Sequence, residues 1–297
     1  MMMTLPSPFP LAPEHKAHIL IEALPYIQQF QGTLAVIKLG GSALDDPQAQ
    51  WALLQDVALL HMVGLRPLLV HGGGPAINQQ LEALGKTPQF ANGLRVTDAD
   101  TLAVAEQVLS GQVGKALASS LGQLGVNALS LSGKDAQLLH CRKAPLTPEG
   151  NDLGWVGEVE HINTKVLLTL MEQGFLPILS SLGVDAQGHT YNLNADHVAV
   201  AVATALKAPK LVFMTNTLGV LSNVADPSSL ISQLPASQVP QLMAQGVISG
   251  GMIPKVACCL QAIEAGVQRV HILNGCQPHS LLLEIFTDAG VGTVITP

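Results

Sequence analysis

Apolar residues follow two alternating spacings along this chain, and the alternation outlines the fold. Short runs rich in Val, Ile and Leu, such as "TLAVIKL", "RPLLVHGGG", "VNALSLSGKDA", "FLPILSSLGV", "KLVFMTN" and "VQRVHIL", read as strands. Between them, apolar side chains recur at helical spacing from about Pro47 to Val63, over "AINQQLEALG", from Asp98 to Leu124, and over "KVLLTLMEQG", "ADHVAVAVATAL", "SQVPQLMAQG" and "KVACCLQAIEAG". Continuous apolar strands separated by helices predict an α/β fold, an open and mostly parallel sheet covered by helices on both faces. From Ala136 to Val159 the pattern shortens to small strands and turns, with "TPEGNDLGW" expected as a hairpin or mobile loop on the sheet's rim. Ahead of the first strand, "PEHKAHILIEALPYIQQF" predicts one further helix with Pro13 in its first turn. The expected organisation is a flexible leader over 1–13, this helix over 14–31, and two halves spanning 32–180 and 181–297.

Composition narrows the classes. At 297 residues and 48% hydrophobic, the chain can bury a sizeable core. Its 21 acidic against 14 basic residues, net −7, argue against nucleic acid as a partner, as does an aromatic content of 3%. Cys141, Cys258, Cys259 and Cys276 have neither CxxC spacing nor a disulfide framework, which fits reduced thiols in a cytoplasm. The proline-broken start lacks the basic region of a signal peptide, and no apolar stretch is long enough to span a bilayer. The ten histidines form no HExxH or other metal spacing, so no metal site is expected.

The candidate chemistry lies at strand ends. Gly40-Gly41, Gly72-Gly73-Gly74 and Gly133 each follow a strand, where glycine permits positive φ and lets backbone N–H groups approach an oxyanion at a helix start. The same residues serve equally as tight strand-to-helix turns. Neither GxxxxGK[ST] nor GxGxxG is present, so a nucleotide would need another architecture. Lys38 in "IKLGG" and Lys255 in "SGGMIPK" could together neutralise a phosphoryl group in flight. Asp196 in "YNLNADH" is either a helix-start acid or the anion that holds both ammonium groups. Arg95 in "NGLRVT" offers a fork for a carboxylate. No nucleophile–base pair is evident, which suits an acceptor already anionic at pH 7, such as a carboxylate.

"IKLGGSAL", "VHGGGPAIN", "NGLRVTD", "LSGKDA", "VGEV", "PILSSLGV", "NLNAD" and "GGMIPK" occur in the order found in N-acetylglutamate kinases, and the chain resembles that family from about residue 14 to 296. The resemblance implies the amino acid kinase fold, a three-layer αβα sandwich, and transfer of the γ-phosphoryl of MgATP to N-acetyl-L-glutamate in arginine biosynthesis. It implies Lys38 and Lys255 as the phosphoryl-stabilising pair and Asp196 as their organiser. Gly40, Gly41 and Gly73 would offer N–H groups to phosphate; Gly73, Gly74, Arg95 and Asn192 would hold the acceptor; Asn216, Gly219, Met252 and Lys255 would hold the nucleotide. The N-terminal half would bind the acceptor and dimerise, and the C-terminal half would bind ATP. The extra helix resembles that of arginine-inhibited members, in which it interlaces dimers into a hexamer. Tyr26, His271, Glu284, Gly290 and Gly292 resemble their arginine site, and some members dock a PII-type signalling protein. Leu39, Ser42 and Asn216 depart from the family's commoner Tyr, Asn and Asp. Kinases acting on another acyl amino acid, and a non-catalytic arginine sensor, are the alternatives.

Overall fold

A computed structural model describes residues 12–91, 93–287 and 290–297. The expected leader falls outside these residues as far as position 11, as do two residues of "FTDAGVGT". Helix α1 (Pro13–Phe30) leads to strand β1 (Leu34–Leu39), and then come α2 (Gly41–Asp45), α3 (Pro47–Met62), β2 (Arg66–His71) and α4 (Gly74–Ala83). A small hairpin, β3 (Phe90–Ala91) and β4 (Leu94–Arg95), precedes α5 (Ala99–Glu106) and α6 (Gly114–Gln123). The middle of the chain supplies β5 (Ala128–Leu131), β6 (Leu139–Lys143), β7 (Val156–Ile162), α7 (Thr164–Glu172), β8 (Leu176–Ser180), β9 (Leu182–Val184) and β10 (Thr190–Leu193). The last part holds α8 (Ala195–Ala205), β11 (Lys210–Thr215), β12 (Gln233–Pro235), α9 (Val239–Ala244), α10 (Met252–Glu264), β13 (Arg269–Asn274), α11 (Ser280–Phe286) and β14 (Thr293–Thr296).

Eight strands form one sheet in the order β12-β14-β13-β11-β1-β2-β8-β5, every neighbouring pair parallel except β13 with β14. The two-residue period of a strand explains its unbroken apolar runs. Val36, Leu68, Val70, Leu211 and Phe213 face one core with α7, α8 and α10. Ala35, Ile37, Leu39, Leu69, Val212 and Met214 face a second core with α3, α6 and α11. Side chains such as Ile37, Leu69 and Phe213 are essentially inaccessible to water, and each full burial contributes about 1.5–3 kcal/mol. Lys38 shares the parity of Val36 and so emerges on the face that α8 covers.

Beside the sheet, β9, β10, β7 and β6 close into a small barrel. The segment expected as a rim hairpin or loop, "TPEGNDLGW" at 147–155, is the irregular connection between β6 and β7 of this barrel. Because β9 and β10 pair with them, residues 182–193 join the strands of the N-terminal half. The helix predicted over Asp98–Leu124 is continuous but winds as a π-helix from Gln107 to Val113, with Asp98 capping its start through the Thr101 N–H at 2.7 Å. On α1 only Phe30 is buried, and Ile19, Leu20, Ile21 and Leu24 stand exposed.

Candidate active site

The carboxyl ends of β1 and β2 and the amino ends of α8 and α10 supply the polar groups of the central crevice, the place where open α/β sheets put ligands. Asn194 caps α8, its Oδ1 accepting from the backbone N–H of Asp196 at 2.8 Å and of His197 at 3.3 Å. That leaves the Asp196 side chain free of capping. Its Oδ1 lies 2.7 Å from Lys38 Nζ and its Oδ2 lies 3.9 Å from Lys255 Nζ. Burial opposes ionisation of Asp196, but the two ammonium groups outweigh it and hold the carboxyl below its usual range. Three side chains from β1, α8 and α10 therefore meet, all mostly shielded from water, at 12%, 19% and 25% exposure for Lys38, Asp196 and Lys255.

Cavities open on either side. One of about 190 Å³ is lined by Gly72, Gly73, Gly74, Arg95, Asn192 and Asn194, with Leu109 and Val156 among its apolar walls. The Arg95 guanidinium is anchored by Nη2, which donates to the Gly74 carbonyl at 3.1 Å and to Asn78 Oδ1 at 2.5 Å. Its buried Nη1 has no partner among the described residues. A buried guanidinium with an unspent donor beside Asn192 suits an anionic ligand group. The other cavity, about 410 Å³, is lined by Asn216, Thr217, Gly219, Val220, Gly251, Met252 and Lys255. It is the more apolar of the two.

The glycines act differently from expectation. None of Gly40, Gly41, Gly72, Gly73, Gly74 and Gly133 has positive φ; what the turns require is space. A Cβ on Gly40 would strike the Met214 carbonyl oxygen, one on Gly73 would lie 2.7 Å from Leu109 Cδ2, and one on Gly133 would strike the Leu182 carbonyl. The expected role of Gly40 as a phosphate donor is corrected: its N–H donates to the Met214 carbonyl at 3.0 Å and is committed to the sheet. Gly73 and Gly74 line the smaller cavity, whereas Gly40 and Gly41 line neither.

A third cavity of about 320 Å³ brings together Tyr26, His271, Glu284, Gly290 and Gly292. Glu284 Oε1 lies 2.8 Å from His271 Nδ1, and its Oε2 accepts from the Val291 and Gly292 N–H groups at 2.9 and 3.3 Å. These donors overcome the effect of burial and depress the Glu284 pKa. Tyr26 packs edge-on against Phe286. Lys210 lines the same cavity, where the sequence leaves Lys207 and Lys210 as alternatives, and so does Arg269, which sequence reasoning did not raise. Lys210 sits 4.5 Å above the Phe30 ring, and burial together with Arg269 brings its pKa down to about 8 against the pull of Glu284. Asn78, on α4, was also missed; its position four residues beyond Gly74 in "GPAIN" places it on the facing side of that helix.

Residues 33–274 match the family described as the amino acid kinase family. The chain belongs to that family. An acetylglutamate kinase from Moorella thermoacetica is 48% identical over 293 residues, covering 97% of this chain and 99% of its own length. Among solved members of similar fold, the N-acetylglutamate synthase from Neisseria gonorrhoeae, complexed with coenzyme A and N-acetyl-glutamate, superposes with a TM-score of 0.84 at 31% identity. That match covers 95% of this chain and 63% of the synthase, so the chain spans less than two thirds of the larger protein. The same synthase complexed with coenzyme A and L-arginine matches at 29% identity and a TM-score of 0.79, over 94% of this chain and 65% of the synthase.

Proposed function

We infer that the chain transfers the γ-phosphoryl group of ATP to the γ-carboxylate of N-acetyl-L-glutamate, giving N-acetyl-L-glutamyl 5-phosphate in arginine biosynthesis. The observation that carries this reading is the near-full-length identity to an acetylglutamate kinase. The Lys38–Asp196–Lys255 cluster between two cavities supports it.

In this reading the smaller cavity takes the acceptor. Arg95 Nη1 and Asn192 hold its α-carboxylate, and Gly73 and Gly74 line the approach to its side chain. ATP enters the larger cavity with magnesium as its companion, against Asn216, Gly219 and Met252. The acceptor carboxylate, with an ordinary pKa of about 4.3, is already a nucleophile at neutral pH and needs no general base. The catalytic demand is then electrostatic: charge spreads over the equatorial oxygens of the passing phosphoryl, and Lys38 and Lys255 meet it from opposite halves of the chain. Asp196 is itself anionic and repels that charge, so its contribution is to fix the ammonium groups beforehand. Gly41 and Gly73 remain candidates for backbone N–H donation to phosphate.

The third cavity is assigned to L-arginine as a feedback inhibitor. Glu284, ionised and held by His271, faces a guanidinium, and Lys210 faces a carboxylate. The exposed apolar positions on α1 support a role in assembly, consistent with a trimer of dimers, and a PII-type partner is a further candidate. A cytoplasmic location accords with the biosynthetic role, and among the described residues no helix is long and apolar enough to cross a membrane.

The test is ADP release by the purified protein with MgATP and N-acetyl-L-glutamate, with and without L-arginine. Acceptor-dependent ADP that falls as arginine rises supports both parts. Turnover insensitive to arginine removes the inhibitor site, and Tyr26→Ala with an unchanged inhibition curve removes Tyr26 from it. No turnover with this acceptor, but turnover with a longer acyl amino acid, refutes the substrate assignment.

A further inference from the structure

Between Arg95 and Asn192 stands a residue with no role so far. Thr97 is fully buried, at 0% exposure, and lies on no regular strand. Its hydroxyl donates to the Arg95 carbonyl at 3.1 Å and accepts from Asn192 Nδ2 at 3.3 Å. Its backbone is bound as fully: the Thr97 N–H donates to the Leu153 carbonyl at 2.8 Å, and the Trp155 N–H donates to the Thr97 carbonyl at 2.7 Å. The Trp155 carbonyl in turn accepts from the Asn192 N–H at 2.9 Å. Gly154, at φ +74°, lets the two strands close, since a Cβ there would strike the Thr97 carbonyl oxygen.

We propose that Thr97 is a positioning residue for the acceptor, setting the orientation of the Asn192 amide and tying it to the backbone that carries Arg95. The argument is a count of protons. A threonine hydroxyl has one hydrogen, and here it is committed to the Arg95 carbonyl. Its lone pairs then face Asn192, so only the amide nitrogen can satisfy them. That selects one of the two flips of Asn192 and leaves its second N–H as a donor for the ligand. An Asn192 free to flip could also present its carbonyl oxygen, and a carboxylate ligand would then have to select the donor orientation at the expense of its own affinity. The remaining links through Leu153, Trp155 and Gly154 hold Thr97 at this place through its backbone, independently of its hydroxyl.

The inference rests on N-acetyl-L-glutamate being the acceptor, and the experiment separates the two claims. Steady-state kinetics on wild type, Thr97→Val and Thr97→Ser, varying each substrate in turn, give KM and kcat separately. Valine keeps the branched shape and loses the hydroxyl; serine keeps the hydroxyl. In Thr97→Val, KM for N-acetyl-L-glutamate should rise about tenfold, the scale of one lost hydrogen bond, with kcat and KM for ATP within about twofold of wild type. Thr97→Ser should restore the wild-type KM. An unchanged acceptor KM in Thr97→Val overturns the proposal, as does a parallel rise in KM for both substrates that serine fails to rescue, which marks a merely structural residue. Wild-type protein that releases no ADP with this acceptor overturns the underlying reading, and the proposal falls with it.

Discussion

Replacing Asp196 by Asn tests whether the carboxylate organises the two lysines or only begins a helix. Asparagine preserves the shape and still accepts a hydrogen bond from Lys38, so the change is confined to charge. Removing one partner from a buried ion pair costs about 3–5 kcal/mol. The amide recovers part of the Lys38 contact at 2.7 Å but little of the longer attraction to Lys255 at 3.9 Å. About 2–4 kcal/mol is then lost from the preorganisation of the ammonium pair, which corresponds to a fall in kcat of about 30- to 1000-fold. Loss of the repulsion between Asp196 and the transferring phosphoryl works in the opposite sense, so the lower half of that range is the better expectation. As a first-turn acid alone, Asp196 would contribute about 0.3–1 kcal/mol to stability through the helix dipole and nothing to turnover. The assay is ADP release at saturating substrates, paired with a thermal melt. A kcat within twofold of wild type, accompanied by a small drop in melting temperature, would refute the organising role.

Three further outcomes follow from the geometry. Lys210 loses its proton above about pH 8, so arginine should inhibit less well at pH 9 than at pH 7; Lys210→Arg, charged throughout, should keep the potency at pH 9, and equal potency of wild type at both pH values would exclude Lys210 from the site. Gly40→Ala forces a methyl group into the Met214 carbonyl of the adjacent strand and should destabilise the fold by about 3 kcal/mol, the upper end for overpacking, read from the midpoint of urea denaturation. Burial alone would raise the Asp185 carboxyl, but the His189 ring, the His189 and Gln187 N–H groups and the Tyr191 hydroxyl bring it down to about 2. Its contribution to stability is therefore present above its unfolded pKa near 4 and fades as the pH falls toward 2. Asp185→Asn should melt below wild type at pH 7, with the gap closing between pH 4 and 2.

The sheet was legible because its strands are buried on both faces and therefore appear as unbroken apolar runs, which helices punctuate. The small barrel was not, because β9 and β10 are short and its closure depends on β6 meeting β9 across 44 residues and β7 meeting β10 across 36, relations that local patterning does not carry. The reversed direction of β14 and the π-helical turns at Gln107–Val113 leave no distinct periodicity either. At the site, Lys38, Asp196 and Lys255 could be singled out by their placement at strand ends and helix starts, but only the folded chain brings them together. Lys207 and Lys210 are indistinguishable in sequence; Lys207 closes α8 in a left-handed conformation at φ +50°, while Lys210 opens β11 and enters the third cavity. Thr97 resembles any turn threonine until its partners, two and 95 residues away, are known.

The join between the two halves of the large sheet lies along β1 and β11, where Ala35 to Leu39 run in register with Lys210 to Met214. Lys38 sits in that seam, and Gly40 extends it by one more bond to Met214. A domain-closing motion that parted the halves would have to break this ladder at its most buried point. The seam is therefore no hinge: the ladder from β2 through β1 and β11 to β13 is continuous, so a change in spacing between the two flanking cavities would have to be taken up by twist of the whole sheet.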